Sequence, residues 1–480
     1  MGGKAVEAPF WYDHDFTPIV RNTVKAARKM VKLRFCQKRV LEVVRHSHDG
    51  EMELVPLAHA LECLPQLEHK GHESCTSKSC EHAIKDFTSV TQLHKCPAPE
   101  GCKPSTSEMF NQSLVVEVLK GYTEEISWEL LGSTAYKLAN SMTTAWTLDG
   151  MSLVDRNVSY LAVSHVWSDG TGSGAWGAGQ VNECLWDSWV GIARQLGCNA
   201  VWWDTVCVPR DKAARSIALR RMHKIYEDAE YTVVHDLYLA GIEWKDDGSP
   251  CIALVLSPWF TRGWTALELL LSYKIFVLFR QGDGYTLKNL DTEVLAKHRF
   301  LDSHAHWIAT EAVKRLRPPP GPRELKSAYE ILSVLQARHT SWQQDVKAIA
   351  ELMCGLGPYG LLSKDYAISS EEEVTKKILR KLRTTLINPN CLLHGLPTMS
   401  EPQFSWCPHR FVDIPSGKIL QKASLRINEN GTLDGNLEIW VIPSEIHGVI
   451  WPLNKDKNVS IQVQSTLLQK PEECVILTCW

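Results

Sequence analysis

The sequence contains no run of 18 apolar residues, which excludes a membrane-spanning helix. It also has no excess of one charge. Its 52 lysines and arginines stand against 55 aspartates and glutamates, a formal charge of -3, whereas a dedicated nucleic-acid binder is usually strongly basic. The opening residues MGGKAVEAPFWYDHDF hold no apolar stretch of the kind a secretory signal needs. Val6 stands where a myristoylation signal wants Ser or Thr. No internal repeat is visible. The chain is not poor in apolar residues: 44% hydrophobic against 22% charged excludes an intrinsically disordered polypeptide.

What is there begins with length. At roughly 100–200 residues per domain, 480 residues can form several core-bearing units. The 15 cysteines, with no secretory signal, point to a reduced intracellular setting, so the expected compartment is the cytoplasm. Cys36, Cys184, Cys198, Cys251 and Cys354 sit among apolar neighbours and read as buried small hydrophobes.

The chain divides by composition. Residues 1–62 form a basic, helical N-terminal region. Within 18–45, Arg21, Lys25, Arg28, Lys29, Lys32, Arg34, Lys38, Arg39 and Arg45 face only Glu42, and Val20, Val24, Ala27, Val31 and Phe35 recur at helical spacing. That helix either packs with a solvated basic face or meets an anionic membrane or nucleic acid, so a nucleic-acid partner is disfavoured but left open. Residues 63–107 are rich in Cys and His, and 108–150 read as a helical connector. Residues 151–285 alternate strand and helix: YLAVSHVW, a Gly-rich loop, a helix, NAVWWDTVCV, a helix, YTVVHD, a helix, KIFVLF. Strands apolar on both faces in that rhythm predict an α/β fold, a parallel sheet covered on both sides. Residues 286–385 read as helical, with RPPPGPRE a linker or sharp turn. Residues 386–480 read as a small β-rich unit, from the runs NLEIWVIP, VSIQVQ and CVILTCW and an Asn-Gly turn at 430–431.

The Cys/His-rich segment spaces its donors as C-x4-C-x-H and then H-x-C-x5-C. Zinc takes four thiolate or imidazole ligands in a tetrahedron and orders loop-rich segments that have little core. The expected set is Cys75, Cys80, His82 and Cys96, with His94 and Cys102 as substitutes; scattered unligated residues are the alternative. Four protein ligands would close the site, so the metal would be structural.

In open α/β sheets, ligands bind beyond the carboxyl ends of the strands. Three segments put polar groups there. The first is the loop Ser164–Gly174, where Ser168, Asp169, Gly170 and Gly172 follow a strand, a composition that lets backbone amides approach phosphates or simply makes a flexible loop. The second is Trp202–Asp211, in which Asp204 holds a ribose hydroxyl, orients a base or caps the next helix. The third is Ser257–Leu269. In it, Glu268 lies one helical turn after Trp264, and a carboxylate beside indoles is partly desolvated, a setting that tunes acids and stabilises cationic transition states.

The order YLAVSHVW, WWDTVCVPRD with RRMHKIYEDA, then SPWFTRGWTALE resembles the fungal heterokaryon incompatibility (HET) domain. Arg338-His-Thr-Ser-Trp with Asp345, and Phe404-Ser-Trp406, are similar to weaker motifs that trail that domain. The likeness covers about 160–285 closely and 286–410 loosely. His165 stands where the family commonly has Tyr, the loop through Gly174 is longer, and Pro209-Arg210 replaces a usual Asn-Gln. HET domains in turn resemble TIR domains, in which a Ser…Trp-x-x-x-Glu segment carries the glutamate of NAD-cleaving members. Ser257, Trp264 and Glu268 fall on that pattern, and Ser168-Asp169 on the first TIR loop. The resemblance implies a TIR- and flavodoxin-like sheet, with NAD as substrate and Glu268 as the catalytic carboxylate. Ser168, Asp169, Gly170, Gly172, Asp204 and Ser257 would then surround the dinucleotide, with Trp259 or Trp264 against the nicotinamide.

Three readings follow. The first is an NAD-consuming protein of nonself recognition and cell death. The second is a non-catalytic signalling module that self-associates or binds another signalling protein. The third is an acyl or peptidyl transferase in which Cys207, activated by His165, His223 or His235, is the nucleophile; Arg262 is a further candidate beside the site.

Overall fold

Buried runs of aliphatic and aromatic residues form one central sheet. A computed structural model of the chain describes residues 90–106, 108–123, 142–172, 181–296, 304–317, 325–336, 338–340, 343–356, 370–383, 385–392, 396–415, 425–434, 439–441 and 475–477, with positions 36, 38, 39, 75, 76 and 80. The sheet holds β1 (Met142–Thr147), β2 (Leu153–Asp155), β3 (Tyr160–His165), β4 (Ala200–Trp203), β5 (Tyr231–His235), β6 (Ile275–Gln281) and β7 (Gly284–Asn289), in the spatial order β2-β1-β4-β3-β5-β6-β7. The middle four strands are parallel and both edges antiparallel. All residues of β3 and β4 are buried, which is why these runs do not alternate in sequence.

In chain order the parallel strands lie second, first, third, fourth, the order of flavodoxin-like sheets. The order reverses between β3 and β5, so the crevice at their carboxyl ends is the switch point where such folds bind ligands. The helices are α1 (Gln112–Thr123), α2 (Glu183–Gln195), α3 (Asp204–Cys207), α4 (Lys212–Asp228), α5 (Leu237–Ala240), α6 (Ser249–Leu256), α7 (Gly263–Leu271), α8 (His304–Lys314), α9 (Ala328–Gln336), α10 (Gln343–Met353) and α11 (Glu371–Lys381). α6 packs on α8 and α7 on α10, so the helices after residue 300 cover the apolar helices that precede them. One continuous core runs from Phe110 to Ile427.

The expected α/β core and a small antiparallel sheet near the C-terminus are present among the described residues. Near the C-terminus, β8 (Leu386–Ile387), β9 (Leu425–Ile427) and β10 (Leu433–Asp434) form a three-stranded antiparallel sheet. β11 (Ile439–Val441) pairs with β12 (Val475–Leu477). Gly431, with a φ of +97°, turns the chain between β9 and β10.

Two readings are corrected. Residues 142–147, expected to close a helical connector, form β1: β-branched Thr143 and Thr144 and Trp146 favour a buried, pleated strand, and Trp146 donates to the Val206 carbonyl at 3.2 Å. The run NAVWWDTVCV stops being a strand at Trp203, where Asp204–Cys207 coil into one helical turn. Of the basic segment 18–45 only Cys36, Lys38 and Arg39 are described, and VSIQVQ lies outside the described residues.

Candidate functional site

The carboxyl ends of β3 and β4 carry a cluster of buried polar groups. Ser164, near the end of β3, is fully buried, and a buried hydroxyl requires partners. It donates to Glu268 of α7 and accepts the indole N–H of Trp259 at 2.6 Å. Glu268 itself is only 5% exposed. Burial pushes its carboxyl up to about 7, with the negative charge of Asp204 adding to the effect and the Ser164 hydrogen bond opposing it. Asp204 opens α3 and pairs with His165 Nε2 at 2.6 Å, while its other oxygen accepts from Trp167 Nε1 at 2.9 Å. Burial works against a charged imidazole, but the Asp204 carboxylate outweighs it and holds His165 above its usual range. Asp204 is correspondingly lowered: burial raises it, and His165 with the Trp167 and Thr205 hydrogen bonds overcomes that. The Asp204 side chain is 19% exposed against 2% for His165, so the cluster faces solvent on the Asp204 side.

Arg262 lies close enough to Glu268, Asp204 and Asp345 for its charge to act on all three. Asp345 of α10 accepts from Trp264 Nε1 at 2.9 Å. The segment around Arg338 docks the later motif onto the third one: Arg338 donates to the Arg262 carbonyl at 3.0 Å, and the Gly263 N–H bonds the His339 carbonyl at 2.9 Å. Structure thus brings together Glu268, Asp204, His165 and Arg262, and adds Ser164 and Asp345.

Other expected residues do different work. Ser257 donates to Leu254 O at 2.7 Å and accepts from the Phe260 N–H, closing the turn after α6. Trp259 is 1% exposed and leaves no face for a ring to stack on. Ser168 is half-buried in the turn after β3. Asp169 caps that turn, accepting from the N–H groups of Thr171 and Leu237 at 2.9 and 3.1 Å. Gly170, with a φ of +90°, donates to Trp167 O and accepts from the Leu93 N–H, and a Cβ there would lie 2.6 Å from the Thr91 carbonyl. The expected phosphate cradle is therefore filled by the chain at 91–93, and the amides of Gly170 and Thr171 are already bonded. Gly172 packs against His165 and Trp167, with no room for a side chain.

Cys207 is fully buried, its sulfur accepts the Trp203 N–H at 3.4 Å, and burial pushes the thiol well above its usual range. A thiol kept protonated is a poor nucleophile, which removes the basis for the transferase reading. His223 and His235 are both lowered by burial.

The metal candidates fall into two groups whose donor atoms lie within 4.8 Å of one another. Cys75 and Cys80 join Cys36, and all three are buried. Cys96 joins His94, Cys102 and Cys184. The expected four-residue set is thus split between them, and His82 lies outside the described residues. Cys184, read as a core residue from its apolar neighbours, sits in the first turn of α2. Burial raises its thiol, but the N–H of Lys95 and the neighbouring thiols bring it down to about 7.

The first two motifs belong to a recognised domain: residues 160–237 match the model of the heterokaryon incompatibility protein (HET) family. The chain therefore carries a HET domain, whose matched part runs from β3 to the start of α5. Glu268 lies beyond it. No curated protein and no solved structure matches the chain.

Proposed function

We propose that this chain is a HET-domain protein of nonself recognition and cell death, with a TIR-like core that cleaves NAD to nicotinamide and ADP-ribose. Glu268 is the catalytic residue. The observation that carries the reading is a buried carboxylate poised near neutrality at the switch point of a flavodoxin-like sheet, beside the Asp204–His165 pair. Breaking the bond between the ribose C1′ and the nicotinamide nitrogen leaves the electron pair on nicotinamide and positive charge on the ribose. An ionised Glu268 in a dry site stabilises that charge far better than water can. Water then adds to C1′ and gives up a proton. Asp204, on the solvent-facing side, accepts from the ribose hydroxyls. Because Trp259 is buried and the Gly170 turn is filled, the nicotinamide is not stacked on Trp259, nor the pyrophosphate cradled by Gly170.

The test is incubation of purified protein with NAD while free nicotinamide is followed. Glu268→Gln should lower its release at least 100-fold, the usual scale for losing an electrostatic stabiliser; equal release by the variant rejects the assignment. The closed state of Glu268, fully engaged with Ser164, favours a second reading, a non-catalytic assembly module. No release at high protein concentration, together with concentration-dependent oligomers in sedimentation, would establish that reading instead. We also propose that the Cys/His-rich segment binds a structural zinc ion.

A further inference from the structure

The segment 90–106 crosses the core with little apolar anchoring, Leu93 alone among its residues packing against it. Its buried residues are Gln92 and Ser105, both polar, and Leu93 is only partly buried. Yet it is ordered along its length by a series of polar ties. The N–H of Leu93 donates to Gly170 O at 2.9 Å, Ser105 N–H to Val181 O at 2.7 Å, and Glu183 N–H to Lys103 O at 3.1 Å. Asn182 donates its side-chain amide to Leu93 O at 2.9 Å. A strap with so little core to bury needs a further source of order.

At its centre His94, Cys96 and Cys102 converge on Cys184, 82 residues after Cys102 in sequence and in the first turn of α2. His94 Nδ1 lies 3.9 Å from the Cys96 sulfur and 3.8 Å from the Cys184 sulfur. In a tetrahedral zinc site with Zn–S of about 2.3 Å and Zn–N of about 2.05 Å, the N···S edge is about 3.6 Å. The donors already approach that spacing. The loop between Cys96 and Cys102 is constrained: two prolines fix φ, and Pro99 opens a tight turn in which the Cys102 N–H bonds Pro99 O at 3.1 Å. The Lys95 N–H points at the Cys184 sulfur at 3.2 Å, the kind of bond that stabilises a ligating thiolate. His94 Nε2 faces the Asn182 amide at 3.2 Å.

Resting on the zinc reading of this segment, we infer that the ion is held by His94, Cys96, Cys102 and Cys184, and that it staples the 90–106 strap to α2 and across the Gly170 turn. Three thiolates and one imidazole suit a borderline-soft divalent cation, zinc before magnesium or calcium, and four protein ligands leave no open position for catalysis. The staple's effect is at a distance: Thr91–Leu93, pressed onto Gly170, hold the turn that carries Asp169 and Thr171 beside the candidate site.

The test uses the full chain. Zinc is measured by elemental analysis in the wild-type protein and in Cys184→Ser and Cys96→Ser, with cobalt-substituted protein examined by absorption as a check that does not depend on the folding of a variant. The inference expects each variant to hold one equivalent less metal than wild type. The cobalt protein should show the strong visible bands of a tetrahedral site and thiolate charge transfer in the near ultraviolet. Removing the metal with a chelator should raise amide hydrogen exchange in 90–106 and 168–172, but not in β5 or β6. A protein with no zinc overturns the zinc reading as a whole. Zinc that persists undiminished in both variants overturns this ligand set alone, as does a disulfide among the three cysteines in alkylation mass spectrometry. Neither outcome bears on NAD cleavage by Glu268.

Discussion

The proton of Glu268 bears on stability and, on the proposed function, on chemistry. A carboxyl raised from 4.5 to about 7 in the folded state binds its proton more tightly there than in the unfolded chain. Its contribution to stability is therefore full below about pH 4.5 and is lost as pH rises towards 7, by at most about 3 kcal/mol. Denaturant midpoints measured between pH 5 and 8 should fall more steeply for wild type than for Glu268→Gln; parallel curves would show that the carboxyl titrates normally. Nicotinamide release should run the opposite way and grow through pH 7 as Glu268 ionises. Gly172 belongs to the same scale. A Cβ there meets the His165 and Trp167 rings, so Gly172→Ala should cost about 1–3 kcal/mol in chemical denaturation, the usual range for overpacking. None of these constraints was visible in the run of glycines, which read equally well as a phosphate loop.

Among the elements, the loop after β5 shows how one side chain ties several together. Asp236 accepts from Tyr238 N–H at 2.8 Å and Leu239 N–H at 3.4 Å, capping α5, and from Trp259 N–H at 2.8 Å in the turn before α7. Asp236→Ala leaves these buried donors unsatisfied and should destabilise by about 2–4 kcal/mol, whereas Asp211→Ala, which removes only the N-cap of α4 at Ala214, should cost about 1 kcal/mol. Thermal unfolding of the two variants ranks them, and a reversed order would show that the Asp236 bonds are dispensable. The reach of Asp236 to Trp259 was not legible in the sequence, because it spans 23 residues and depends on how the sheet brings β5 and α7 together.

Across the whole molecule, compositional boundaries and the core disagree. Composition suggested a unit ending at 285, but α6 is buried from Pro250 to Leu256 and packs on α8, while α7 packs on α10. A fragment ending at residue 296 would expose those faces, whose burial contributes about 25 cal/mol for each Å² of apolar surface removed from water. It should be insoluble or molten by near-ultraviolet circular dichroism, and a cooperative unfolding transition in that fragment would refute the single-core view.

Local signals in the chain were enough for the parallel strands β3 to β6, most of the helices and the order of the HET motifs, because periodicity and runs of buried β-branched and aromatic residues act over a few positions. They also marked Glu268 as a carboxylate among indoles and the 63–107 segment as rich in metal donors. They did not reveal that Ser164 is the partner of Glu268, that the chain at 91–93 fills the Gly170 turn, or that Cys184 completes a donor set with His94. Those contacts join residues about 80 to 100 positions apart, and they exist only once the parallel sheet has set β3 beside β4 and β5 and laid the strap across their carboxyl ends.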